Sequence, residues 1–384
     1  MILQPRLRRD RPRGSVYFGQ VPSHGGNAFE QLPPVLFGAR LQASLVPENA
    51  TGSPTPTFTR ATAATVWGFQ AADVAGASPS LLTVASGEAR FMGARRISQG
   101  AWSSSLADGA PINLVNTTGA TAYVDANGPF GYLAEGQRTE YLGATDTPAT
   151  QTTGSLANGS YTAWLDGVGG DSLTISAGTA TITGGGAAVP GTPLTFTVTA
   201  PGTVVATVAG TPTRIQLENG TFKSSYIPNA GAAGTSVTRN ADVLTYPSAG
   251  NVNGMQGTAF AEVTGGGVAG VNRGIVTAAG NPLYLSGTGT SPVSLFDGTA
   301  VRSFVNTSTP FATVQKLATS WGGTASQGYL NGVAGTAQAF DGDLNTGATL
   351  GVGANTDGSS QVNGTIRNVK IFGSPLNGSQ VASL

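Results

Sequence analysis

Leu194-Thr195-Phe196-Thr197-Val198-Thr199 is followed, after Ala200-Pro201, by Gly202-Thr203-Val204-Val205-Ala206-Thr207-Val208. Along the first run apolar side chains alternate with threonines at period two, which turns one face of an extended chain toward a core. The Val- and Thr-rich second run suits a pleated, half-buried surface. Pro and Gly between them mark a turn. Gly159-Ser160-Tyr161-Thr162-Ala163-Trp164-Leu165, Leu173-Thr174-Ile175 and Ala180-Thr181-Ile182 precede the pair, and Arg214-Ile215-Gln216-Leu217-Glu218 follows it. Closely spaced short strands of this kind predict a small β-sandwich or jelly roll over residues 150–228. Trp164 fits its core better than a sugar-stacking platform.

The pattern extends outward in both directions, and helical periodicity is nearly missing. The fold class expected is all-β: an extended N-terminal arm followed by tandem β-sandwich or jelly-roll domains. The arm is residues 1–50, a β-rich connecting domain 51–149, the small sandwich 150–228, a linker 229–256 and a second sandwich 257–384. In the last, Gln315 to Trp321 is followed by Gln327 to Val333, and the Asn331-Gly332 turn within the second run is a strong hairpin signal. Within 51–149, Glu135 and Arg138 read as an ion pair at a domain or subunit junction.

Composition narrows the function. Of 384 residues 57 are Gly, about twice the usual share, and only 10% are charged. The 19 basic and 19 acidic residues balance, so no basic excess suggests nucleic acid. Without Cys, disulfides, zinc thiolates and thiol nucleophiles are excluded, and with His24 alone a His metal cluster is excluded too. No apolar run is long enough to span a membrane as a helix, and the Arg-rich start does not read as a secretory signal.

The arm is a separate case. Arg6, Arg8, Arg9, Arg11 and Arg13 crowd its start, and prolines interrupt it. Yet it carries Phe18 and Phe37, within Val16-Tyr17-Phe18 and Val35-Leu36-Phe37. Two readings stay open. One is a flexible tail. The other is an arm lying across a partner subunit or a larger particle, which the apolar residues favour and which suits the planar fork of Arg.

Four short segments resemble those of tailed-bacteriophage virion proteins: Phe58 to Ala61, Leu133 to Tyr141, Gln216 to Pro228 and Thr238 to Asp242. Their joint order is the specific part. The last 125 or so residues resemble concanavalin A-like (laminin G-like) jelly rolls, through Tyr329-Leu330-Asn331-Gly332, Asn363 to Phe372 and Pro375-Leu376-Asn377. The resemblance implies a non-enzymatic virion structural protein on the outer surface of the particle. Its partners would be other capsid or tail proteins, itself as a homo-oligomer, with a trimer expected, and host-surface glycan. A fibre or spike component is the first reading. A capsid decoration protein or head fibre that coats the shell is the second, and a glycan-degrading enzyme the third.

Jelly rolls of this kind bind sugar with aromatic rings and amide or carboxylate groups. The ring candidates are Tyr284, Trp321 and Tyr329, with Asn331 and Asp357 as polar partners. Counting by twos from Leu317 sends Trp321 to the core, so Tyr329, near the hairpin rim, is the better of them. Asp341, Asp343 and Asn345 have a spacing that can wrap Ca²⁺, but the loop departs from the EF-hand pattern and reads first as an ordinary Asx turn. No cofactor is expected otherwise. No carboxylate pair for glycoside hydrolysis stands out, and Gly184-Gly185-Gly186 and Gly265-Gly266-Gly267 lack the Lys-Ser/Thr of a phosphate loop.

Overall fold

The computed structural model describes residues 32–41, 45–52, 55–68, 80–92, 97–98, 101–102, 113–115, 131–265, 273–278, 293–304, 314–344 and 346–384. The protein is all-β. Apart from one short helix, Gly378–Ala382, the regular elements among the described residues are strands in antiparallel sheets. None of them is a helix long and apolar enough to cross a membrane. Arg6, Arg8, Arg9, Arg11, Arg13 and Phe18 lie outside the described residues, as do Tyr284 and Asn345.

The larger sandwich is organised on the strand Gly364–Phe372. Its first half pairs with Gly131–Ala134 and its second half with Val35–Ala39. Gln256–Gly265 runs along its other edge and leads to Gln315–Gly322 and Ala325–Leu330. A four-stranded sheet of Val276–Ala278, Thr349–Val352, Val243–Pro247 and Thr57–Thr59 shares a core with it. The alternation predicted by period two is visible at the contact. Leu244 and Tyr246 are buried while Val243 and Thr245 are not, and the Tyr246 ring meets Phe37 of the large sheet edge-on at 4.8 Å. The outer face of the large sheet is covered in turn. Phe260, Ala318, Tyr329 and Phe372 pack there against Leu376 and Val381. The short helix that carries Val381 is held by a capping box between Asn377 and Gln380.

The smaller sandwich joins a six-stranded and a four-stranded sheet. Gly159–Asp166 sits inside the first, between Leu194–Ala200 and Arg214–Asn219. Ser172–Ala177 pairs with Val204–Ala209 in the second. Tyr161, Ala163, Leu165, Phe196 and Val198 face Leu173, Ile175, Val204 and Ala206 in one core. Trp164 points the other way but is also buried, its ring edge-on to Tyr226.

Three expected boundaries change. Residues 229–256 are not a linker: Val237–Arg239 extends the six-stranded sheet and Val243–Pro247 is an inner strand of the four-stranded one. The arm cannot reach to residue 50, because Val35–Ala39 is paired and Phe37 is fully buried. Residues 257–384 do not close a sandwich alone, since strands from 35–39, 57–59, 131–134 and 243–247 complete it. Alternation along a strand names its buried face and not its neighbour. The smaller sandwich is therefore an insertion in the larger. The chain crosses between them twice, at 134–138 and 239–243, and the crossings lie side by side because Arg138 pairs in register with Arg239.

Candidate functional site

The residues proposed for sugar binding do not form a surface platform. Trp321 is fully buried, its indole N–H donating to the Asn253 carbonyl at 3.0 Å. Tyr329 is buried as well, and its hydroxyl donates to the Leu376 carbonyl at 3.1 Å. The rim position was a correct count along the hairpin, but the C-terminal segment covers that face. Asn331 is exposed in the turn at φ 50°. Its side chain accepts from the Lys316 N–H at 2.9 Å and donates to Gln315 at 2.8 Å. Asp357, exposed in the loop before Gly364–Phe372, accepts from the N–H and hydroxyl of Ser359. Those two bonds hold its carboxyl below the usual range. Asp343 N–H donates to Asp341 at 3.3 Å, an Asx-type contact. Among the described residues no three His, Cys, Asp or Glu side chains gather for a metal ion.

The four segments that carry the virion resemblance do come together. They meet in a buried joint where the chain crosses between the sandwiches. Asp242 accepts from Arg60 Nη1 at 2.8 Å, from Arg90 Nη2, and from the Glu135 N–H at 3.0 Å. Glu135 accepts from Arg90 at 2.7 Å and Arg239 at 2.9 Å, and from both the N–H and hydroxyl of Ser225. Glu135 is thus not the partner of Arg138. Arg138 turns to Glu218 at 3.8 Å and to the Asn219 carbonyl. Removing charges from water is costly unless each is paired and hydrogen-bonded; Arg60, Arg90 and Arg239 are each ion-paired here, while Arg90 Nε and Arg239 Nε have no hydrogen-bond partner among the described residues. Burial alone would raise the Glu135 pKa. Arg239 and Arg90, with Ser225, override it and hold the carboxyl at about 2.

Glu140 and Glu218 lie opposite each other on neighbouring strands. Glu140 accepts from the N–H groups of Leu142 and Leu217, and Glu218 from Trp164 Nε1 at 3.1 Å and from Ser224. Burial pushes both carboxyls up, that of Glu140 well above the usual range. Their oxygens are occupied by donors of their own chain, so the pair supports structure rather than an open acid–base site.

Beside the joint opens a groove of about 320 Å³. Gly136, Gln137 and Arg138 of the first crossing form one wall, Thr221 and Phe222 a second, and Arg273 with Gly358, Ser360, Gln361 and Asn363 the rest. The Arg138 guanidinium lies 4.2 Å and that of Arg273 5.8 Å from the centre of the Phe222 ring. Arg273 is 5% exposed, and its Nη1 donates to the Gln361 carbonyl at 2.9 Å. Burial and the nearby charge of Arg138 both lower its pKa. Gln361 donates to the Asp242 carbonyl and Asn363 accepts from the Gly136 N–H, tying the groove to the joint. Two buried atoms of the lining lack hydrogen-bond partners, Arg273 Nε and Gln361 Oε1. Gly220 serves the same wall: at φ +116° a Cβ would run into Arg138 Nη1. The sequence reading missed this groove because its walls come from residues far apart in the chain.

A scan against family models finds no match, and no curated protein matches the chain. Among solved structures, domain 4 of AbnA, a GH43 extracellular arabinanase from Geobacillus stearothermophilus, in complex with arabinotriose, aligns with 43% of this chain and 82% of that one. The identity is 16% and the TM-score 0.33.

Proposed function

We propose that this chain is a non-enzymatic structural protein of a tailed-bacteriophage particle. It sits on the outer surface as a fibre or spike component and presents its sandwiches for attachment to host-surface glycan. The observation that carries the reading is the buried joint. Segments scattered from Phe58 to Asp242, on which the virion resemblance rests, are the ones that supply Arg60, Glu135, Arg138, Glu218, Ser225, Arg239 and Asp242 to it. Short motifs that share an order in the chain and also a place in the fold are what a common architecture requires. The carboxylates there are taken up by guanidiniums and backbone N–H groups, which supports a scaffold and not a hydrolase.

Antibody labelling of intact particles by electron microscopy tests the location. Label at projecting fibres or spikes is expected. Label spread evenly over the shell would favour the decoration reading, and unlabelled particles would remove the virion reading. A homotrimer is the expected form, and multi-angle light scattering checks it; a monomer at micromolar concentration counts against it.

A further inference from the structure

We propose that the groove between Arg138 and Arg273 binds a carboxylate-bearing sugar residue of an acidic glycan. The sugar half of this inference rests on the glycan-attachment reading; the anionic half rests on the groove itself.

The first support is charge. The joint behind the groove sets three guanidiniums, Arg60, Arg90 and Arg239, against the carboxylates of Asp242 and Glu135. Arg138 is balanced by Glu218. Among the described residues no carboxylate pairs with Arg273, and no acidic side chain lines the groove. A positive excess in a low-dielectric wall focuses potential on the opening. The second support is unmet hydrogen bonding. A buried polar atom without a partner is costly, and Arg273 Nε and Gln361 Oε1 are both in that state. One is a donor suited to a carboxylate oxygen, the other an acceptor suited to a sugar hydroxyl. A guanidinium edge matches a carboxylate in bidentate geometry. The third support is size and lining. About 320 Å³ is at the small end of ligand pockets, room for one sugar ring. Gln137, Asn363 and Ser360 add amide and hydroxyl groups around it.

The test uses the full chain and isothermal titration calorimetry. The probes are an oligosaccharide of glucuronic acid, the matched neutral glucose oligosaccharide, sodium acetate and inorganic phosphate. The uronate oligosaccharide is expected to bind, with the neutral one at least tenfold weaker. Arg273→Gln should weaken uronate binding at least tenfold. Gln137→Glu, at an exposed rim position that carries none of the core, should do the same without changing the melting temperature, so a folding defect cannot imitate the result. Uronate binding untouched by both variants would overturn the site. Phosphate or acetate binding as tightly as the uronate would overturn the sugar assignment. Neutral glycan binding better than the acidic one would overturn this proposal and leave the attachment reading standing. No saccharide binding at all would overturn this proposal, while particle labelling would still decide the virion reading.

Discussion

Asp242 holds two arginines, accepts from the Glu135 backbone and is itself fully buried. Asp242→Asn would leave the buried Arg60 without a carboxylate and Arg90 sharing Glu135 with Arg239. Breaking a buried pair in this way costs about 3–5 kcal/mol. A loss of that order in equilibrium urea unfolding is expected, and a loss below about 1 kcal/mol, the range of exposed pairs, would show that the joint is not a staple. The acids of the joint also set a pH dependence. Glu135 titrates at about 2 in the folded protein, against about 4.3 unfolded. Its contribution is present above the unfolded value and is lost as pH falls toward the folded one. Glu140 acts in the opposite sense, because burial raises its folded pKa. The folded state keeps that proton more tightly, so the contribution is full below the ordinary glutamate value and is lost as pH rises through the window above it. Stability should therefore decline from pH 5 to pH 8. Glu140→Gln, which cannot ionise, should flatten the decline; an unchanged slope in urea titrations at the two pH values would refute the assignment.

The strand Val35–Ala39 shows what was and was not legible in the sequence. Its apolar run was plain, and so was the need to cover it. Its partner was not, since the pairing with residues 369–372 closes a loop of more than three hundred residues that no local pattern encodes. The strands of the smaller sandwich were legible because they sit close in sequence and alternate cleanly. The burial of Trp321 followed from counting by twos; Trp164 is buried as well, but on the face opposite the core that Tyr161, Ala163 and Leu165 line. Tyr329 failed because period two gives a face, and only the tertiary fold says whether that face meets water. The buried arginines and glutamates were visible as residues but not as a group, since their burial depends on convergence. One consequence is specific. Deleting residues 1–45 removes an inner strand with the fully buried Phe37. Truncating a buried Phe alone costs about 3–5 kcal/mol, so the deletion should unfold the larger sandwich. Circular dichroism melts of the truncated and full chains decide this; equal melts would mean that the strand is dispensable.

At the scale of the molecule the two sandwiches are nested rather than strung in series. The larger is built from chain on both sides of the smaller, and its core cannot be completed before residues 364–372 are available to pair with 35–39 and 131–134. The smaller has its own core from residues 142–217 and a more local set of pairings, which favours earlier folding. Both chain crossings pass through the charged joint, where Arg138 pairs with Arg239 and the Asp242 N–H donates to the Glu135 carbonyl. The same arrangement has a meaning for exchange of parts. A segment that leaves and returns at adjacent points can be lifted out, and another spliced into its place, without redirecting the rest of the chain. Here the seam has a password: any replacement must bring an arginine where Arg239 stands and a hydroxyl where Ser225 stands, or Glu135 loses one of its two guanidiniums and its hydroxyl donor. Recombination between such proteins would then be tolerated only among bodies that share the seam, which leaves the exposed loops of the smaller sandwich free to diverge.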